Sequence, residues 1–157
     1  MRLLILFVFL YSTSTMAYLK DSDPMNKLGT ESTFYVLEDI IFTNSSWEIF
    51  IQNGKVFNRF ESIDQEIFFC SISTKDQRQF SRKIPRGRLF KVNSASSMGG
   101  GHLFSVNFTL VDRDLDLLNC NQWYVYQWPT IGELRQALGN LIQLRIGRPR
   151  IFNEYQF

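Results

Sequence analysis

The sequence predicts a mainly β fold: a small antiparallel sandwich or barrel carrying one C-terminal α-helix at about residues 131–139. Three observations predict it. Short apolar or alternating runs separated by turn signals succeed one another from Thr33 onward. Aromatic residues make up 15% of the chain, and such side chains favour strands and bury large areas. Finally, a single segment near the C-terminus carries a helical period behind a complete start signal.

Taken in order, Phe34–Thr43 is the first strand, with a break near Glu38-Asp39. In Ser46–Gln52, Trp47, Ile49 and Ile51 share one face while Glu48, Phe50 and Gln52 share the other. Asn53-Gly54 follows, a pair that tolerates the positive φ of a type I′ turn, so Lys55–Phe60 returns as a hairpin partner. Glu66–Thr74 is a further strand, with Phe68, Cys70 and Ile72 on one side. Lys75–Arg86 is polar and basic and reads as an exposed loop before the short strand Arg88–Val92. Asn93–Gly101, ending in three glycines, reads as loop, because glycine runs break regular structure.

His102–Val111 alternates again, and Leu115–Cys120 and Gln122–Trp128 are two more strand segments. Pro129 stops the last of them. Thr130 with Glu133 three residues on forms a capping box, and Leu134, Ala137, Leu138 and Leu141 then recur on one helix face. Gly139 or Asn140 ends the helix, and Ile142, Leu144 and Ile146 alternate as a closing strand.

The beginning of the chain carries the address. Arg2 precedes the apolar run Leu3–Tyr11 and the small-residue stretch Ser12–Ala17, the order of regions in a secretory signal peptide cut before Tyr18. Residues 1–17 are therefore expected as a signal peptide and 18–32 as a flexible leader. Residues 33–147 form a single β-rich domain, and 148–157 a C-terminal tail. The apolar run is too short to cross a ~30 Å hydrocarbon layer, so no transmembrane span is expected after cleavage. Cys70 and Cys120, the chain's two cysteines, read as one disulfide in an exported protein, with Cα atoms about 4.4–6.8 Å apart.

Formal net charge is +2, which gives no global argument for nucleic acid. The local asymmetry is Lys75–Lys91, where Arg78, Arg82, Lys83 and Arg86 lead seven cations against Asp76. Such a patch suits an acidic partner, a phosphorylated lipid or an anionic glycan, with a merely solvated loop as the simpler reading. Tyr124, Tyr126 and Trp128 fall on one face of their segment; core packing is the expected role of that face, and if exposed it would make an aromatic platform. His102 is the chain's one imidazole, but no nucleophile signature accompanies it. Asp112, Asp114 and Asp116 begin like a calcium loop, yet Leu117 and Trp123 stand where that loop needs Gly and Glu. No motif calls for a metal or a cofactor, and no catalytic role is assigned. Asn44 and Asn107 head glycosylation triplets.

The order of WEIFIQNGKV (47–56), FFC (68–70), RGRLFKV (86–92), LNC (118–120) and LRQALG (134–139) resembles small exported proteins of Gram-negative bacteria. That resemblance implies a periplasmic location and a compact disulfide-bonded β domain, without an activity. The expected function is an exported, non-catalytic binding or envelope-associated module whose partner is another envelope or secreted protein or an anionic glycan. An inhibitor of a hydrolytic enzyme such as lysozyme is the rival expectation, and a small secreted hydrolase the third.

Overall fold

The computed structural model describes residues 19–42, 47–75, 83–100 and 102–146. Residues 1–17, expected as a signal peptide, and the expected tail 148–157 lie outside them. Ten strands are described: β1 Thr33–Val36, β2 Ile40–Ile41, β3 Glu48–Gln52, β4 Lys55–Phe57, β5 Phe69–Thr74, β6 Lys83–Ile84, β7 Leu89–Gly100, β8 Leu103–Val111, β9 Leu115–Trp123 and β10 Ile142–Arg145. The single helix among the described residues, α1, spans Ile131–Leu138. Eight strands form one antiparallel sheet in the order β10-β1-β7-β8-β9-β5-β3-β4, while β2 and β6 pair as a separate ribbon. The fold is thus mainly β with one helix, as the alternation and the capping box predict.

The sheet curls around one core. Phe34, Phe90, Phe108, Ile49, Ile51, Ile72 and Leu118 point into it from six strands, together with Leu134 and Leu138 of α1. The helix touches β10 at one edge of the sheet and β3 near the other, so it closes the open side of the curl. Its start is the expected capping box: Thr130 Oγ1 accepts from the Glu133 amide at 3.2 Å, and Glu133 accepts from the Thr130 amide at 2.7 Å. Gly139, at φ 54°, ends it. The β3–β4 hairpin also turns where predicted, with Asn53 and Gly54 at φ 51° and 69°. Ile49 and Ile51 are core, whereas Trp47 on the same nominal face is exposed.

Four expectations are corrected. The leader is not free: within residues 19–32, Met25 and Leu28 are fully buried. Met25 N–H donates to Pro129 O, while Ile131 N–H and Gly132 N–H donate to Asp23 O and Asp21 O, so this strap lies over the start of α1. Asn93–Gly100 is strand rather than loop, because Ser94–Gly100 pair residue by residue with Leu103–Thr109. A cross-strand partner overrides the weak strand preference of Ser and Gly. Leu115–Trp123 is one continuous strand that stops at Trp123, so Gln122–Trp128 is not a strand. Within Lys75–Arg86, Lys83-Ile84 pairs with Ile40-Ile41.

Cys70 and Cys120 lie directly opposite each other on β5 and β9 and are joined by the disulfide. Their Cα atoms are 4.0 Å apart, below the expected range, as directly opposed residues in an antiparallel ladder stand closest.

Candidate functional site

Strands alternate their side chains, so β3, β5, β7, β8 and β9 each present a second set of residues on the face away from the main core. Following the register across the sheet, Ser96, Asn107, Asn119, Ser71 and Phe50 stand in one transverse row. Met98, Ser105, Asn121 and Phe69 stand in the next. This face therefore grades from hydroxyls and amides on β7–β9 into aromatic rings on β5 and β3.

The rings form a second, smaller core. Phe50, Phe60 and Phe69 meet edge to face with centroids 5.5, 6.3 and 6.0 Å apart, and Ile63, Phe57 and Trp123 join them. Phe60 belongs to a 3₁₀ turn, Phe60–Ser62, in the loop that folds back over the sheet. Gln52 fastens that loop. Its Nε2 donates to Asp64 O at 2.7 Å and to Ile67 O at 3.0 Å, and its Oε1 accepts from the Asp64 amide at 3.0 Å. Between loop and sheet lies a cleft of about 320 Å³, lined by Glu48, Phe50, Phe60, Phe69, Ser71, Asn119, Asn121 and Trp123. Asn121 Nδ2 donates to Asn119 Oδ1, and Asn119 Nδ2 donates to Asn107 Oδ1. The Trp123 indole N–H is buried, with no acceptor among the described residues.

Beyond Trp123 the chain turns out of the sheet. Tyr124 adopts φ 60°, a costly conformation for an aromatic residue, and its N–H donates to His102 O at 2.6 Å. That turn places Tyr124 and Tyr126 beside the tip of the β7–β8 hairpin, with ring centroids 6.3 and 6.2 Å from the His102 ring. Tyr124 is 64% exposed, Tyr126 87% and Met98 59%. Trp128 takes the other direction and packs on Phe104 at 4.9 Å. Its ring also lies so close to Gly99 that a Cβ there would meet it at 2.7 Å. Two of the three predicted platform residues are therefore out in solvent at the hairpin tip, and the third supports the tip from beneath.

The described part of the basic segment that leads into β7, residues 83–88, lies at the opposite end of that strand, separated from the tip by roughly 35 Å. Arg78 and Arg82 lie outside the described residues. Lys83 Nζ pairs with Asp39 at 2.7 Å, and the Arg86 amide donates to the same carboxylate at 2.8 Å. Those two hydrogen bonds, Lys83 first, hold the Asp39 carboxyl below the ordinary aspartate range. Arg88 is clamped by Asp112 and Asp114 at 2.7 and 2.9 Å. Its burial would lower the guanidinium pKa, but the two carboxylates outweigh it and raise the value. The aspartates that look like a calcium loop thus hold an arginine, and Asp112 also accepts the amides of Asp114 and Leu115. Asn107 lies mid-strand with its amide engaged by Asn119, while Asn44 is outside the described residues.

The cleft was not singled out by sequence reasoning. Its signal was present in the alternate positions of β5, β8 and β9 (Phe69/Ser71, Ser105/Asn107, Asn119/Asn121/Trp123), which carry amides, hydroxyls and rings where a merely solvated face would carry charges. Comparison with known proteins returned no matching family model, no matching curated protein and no matching solved structure.

Proposed function

We propose that this chain is an exported, non-catalytic binding module that engages a partner protein through the tip of its β7–β8 hairpin. The observation that carries the reading is the exposed group Met98, His102, Tyr124 and Tyr126, held out by a left-handed Tyr124 and underpinned by Trp128 on Phe104. Exposed contiguous aromatic surface marks interaction sites, and tyrosine supplies contact area with few rotamers to freeze. The Cys70–Cys120 disulfide supports an oxidising compartment, periplasmic or extracellular, as does the signal-like start of the chain. Lys83 and Arg86 both contact Asp39, so an anionic glycan is a weaker choice of partner than a protein.

A second reading, inhibition of a hydrolase such as lysozyme, is favoured by the same tip. A slender hairpin end with Gly99, Gly100 and His102 is shaped to enter a cleft. The test is a pull-down of exported proteins with the mature chain and with its Tyr124→Ser/Tyr126→Ser variant, alongside a lysozyme inhibition assay. One partner retained by the parent and weakened about tenfold or more in the variant supports the proposal, since paired aromatic anchors carry most of an interface's energy. Equal capture by both overturns the tip assignment, and loss of lysozyme activity selects the inhibitor reading.

A further inference from the structure

We infer that the cleft between the Phe60 loop and the outer face of the sheet is a binding site for a neutral saccharide. Its volume, about 320 Å³, is at the lower end of the ~300–1,000 Å³ typical of small-molecule sites. The site does not include Tyr124 or Tyr126, so it stands or falls independently of the hairpin tip.

The lining selects the ligand. Among the described residues it holds no lysine or arginine to attract an anion. One wall is aromatic: Phe50 and Phe69 are buried and fix the positions of the more accessible Phe60 and Trp123. The electron-rich face of such rings attracts the weakly positive C–H groups of a pyranose. The other wall mixes donors and acceptors. The amide chain is donated in one direction, from Asn121 to Asn119 to Asn107, and both Asn119 and Asn121 line the cleft. Ser71 adds a hydroxyl.

Hydroxyl groups donate and accept at once, so a polyol meets both kinds of group. A quaternary ammonium would use the rings but would leave the amides unanswered. The site is pre-organised, because Gln52 ties the Phe60 loop to the sheet through three hydrogen bonds at 2.7 to 3.0 Å.

The experiment is a titration of the isotopically labelled mature chain with cellotriose, chitotriose and, separately, choline chloride, followed by amide and indole N–H resonances. Either sugar is expected to shift the Trp123 indole signal and the Asn119 and Asn121 side-chain amides saturably. Asn121→Ala should weaken that binding about tenfold, as should Trp123→Ala, which removes a ring of the aromatic wall. The variants' own spectra show whether each is folded, and parent-chain shifts decide the question if one is not. No shift up to about 10 mM of either sugar, tenfold above a weak ~1 mM site, overturns the proposal. Saturable shifts with choline alone overturn it in favour of a cation site, and sugar shifts confined to Tyr124 and Tyr126 overturn it in favour of the tip.

Discussion

Gly54 and Gly139 meet backbone to backbone, so that a Cβ built on Gly139 would lie 2.5 Å from Gly54 Cα. One glycine turns the β3–β4 hairpin and the other ends α1, and Gly54 N–H donates to Ala137 O at 2.9 Å across the contact. This contact locks the hairpin against the helix C-terminus. Gly139→Ala should cost about 2–4 kcal/mol, combining the left-handed backbone with overpacking against atoms that cannot rotate away. Denaturant unfolding of the variant checks it, and a loss under about 0.5 kcal/mol would show that the contact yields.

Gln52 makes a second prediction. It is 6% exposed and satisfies the Asp64 amide, the Asp64 carbonyl and the Ile67 carbonyl. Gln52→Leu should leave these groups without partners, lowering stability by about 2–3 kcal/mol. Hydrogen exchange should accelerate at Asp64 while the amides of β8 and β9 keep their protection.

The Arg88 clamp predicts an unequal pair of variants. Asp112 accepts from Arg88 and from two backbone amides, whereas Asp114 accepts from Arg88. Asp112→Ala should therefore destabilise by about 2 kcal/mol and Asp114→Ala by less than 1, because Asp114 gives up a single, still partly solvated ion pair and leaves no backbone amide unpartnered. Equal effects in thermal melts would refute the ranking.

Asp39 sets an acid response. Its pKa is lowered in the folded chain by Lys83 and the Arg86 amide, so its contribution is present above the ordinary aspartate value of ~4 and fades as pH falls through the lower native value. The β2–β6 ribbon should loosen first in acid, and Asp39→Asn should flatten that response. Because the pair is exposed, salt should weaken it as well. Chemical-shift titration of Ile40, Ile41 and Ile84 amides follows the ribbon directly.

Tyr124 offers a test of strain. Tyr124→Gly relieves a φ of 60° and should leave stability unchanged or raise it by up to about 1 kcal/mol. The same change should weaken partner capture at the tip. A variant that is destabilised by more than that would show the ring to be structural.

Much of this fold was legible in local chemistry. Asn53-Gly54 and the Thr130–Glu133 box act within a few residues, so a reader of the chain finds both the hairpin and the helix start. The alternation of Phe68, Cys70 and Ile72 likewise places the cysteine on the core face. What was hidden depends on partners far along the chain. Ser94–Gly100 are strand only because Leu103–Thr109 pair with them, and Met25 is buried only because Pro129 and Ile131 come to meet residues 21–25. The site shares this property: Phe50 and Asn119 each look unremarkable in their own strands and become neighbours through the register of β3, β5 and β9.

The pairing of Thr33 with both Arg145 and Lys91 has a consequence for the order in which the chain folds. A polypeptide that emerges N-terminus first presents β1 long before either neighbour exists. Its first partner arrives about fifty-five residues later and its second more than a hundred residues later. Contacts of such sequence separation form slowly, because the intervening loop must be closed before any pairing rewards it. By contrast, β3–β4 and the β7–β8–β9 meander close on themselves as soon as they are released. The chain should therefore assemble from its middle outward, with Phe34 and Val36 entering the core last and the strap over α1 settling after them.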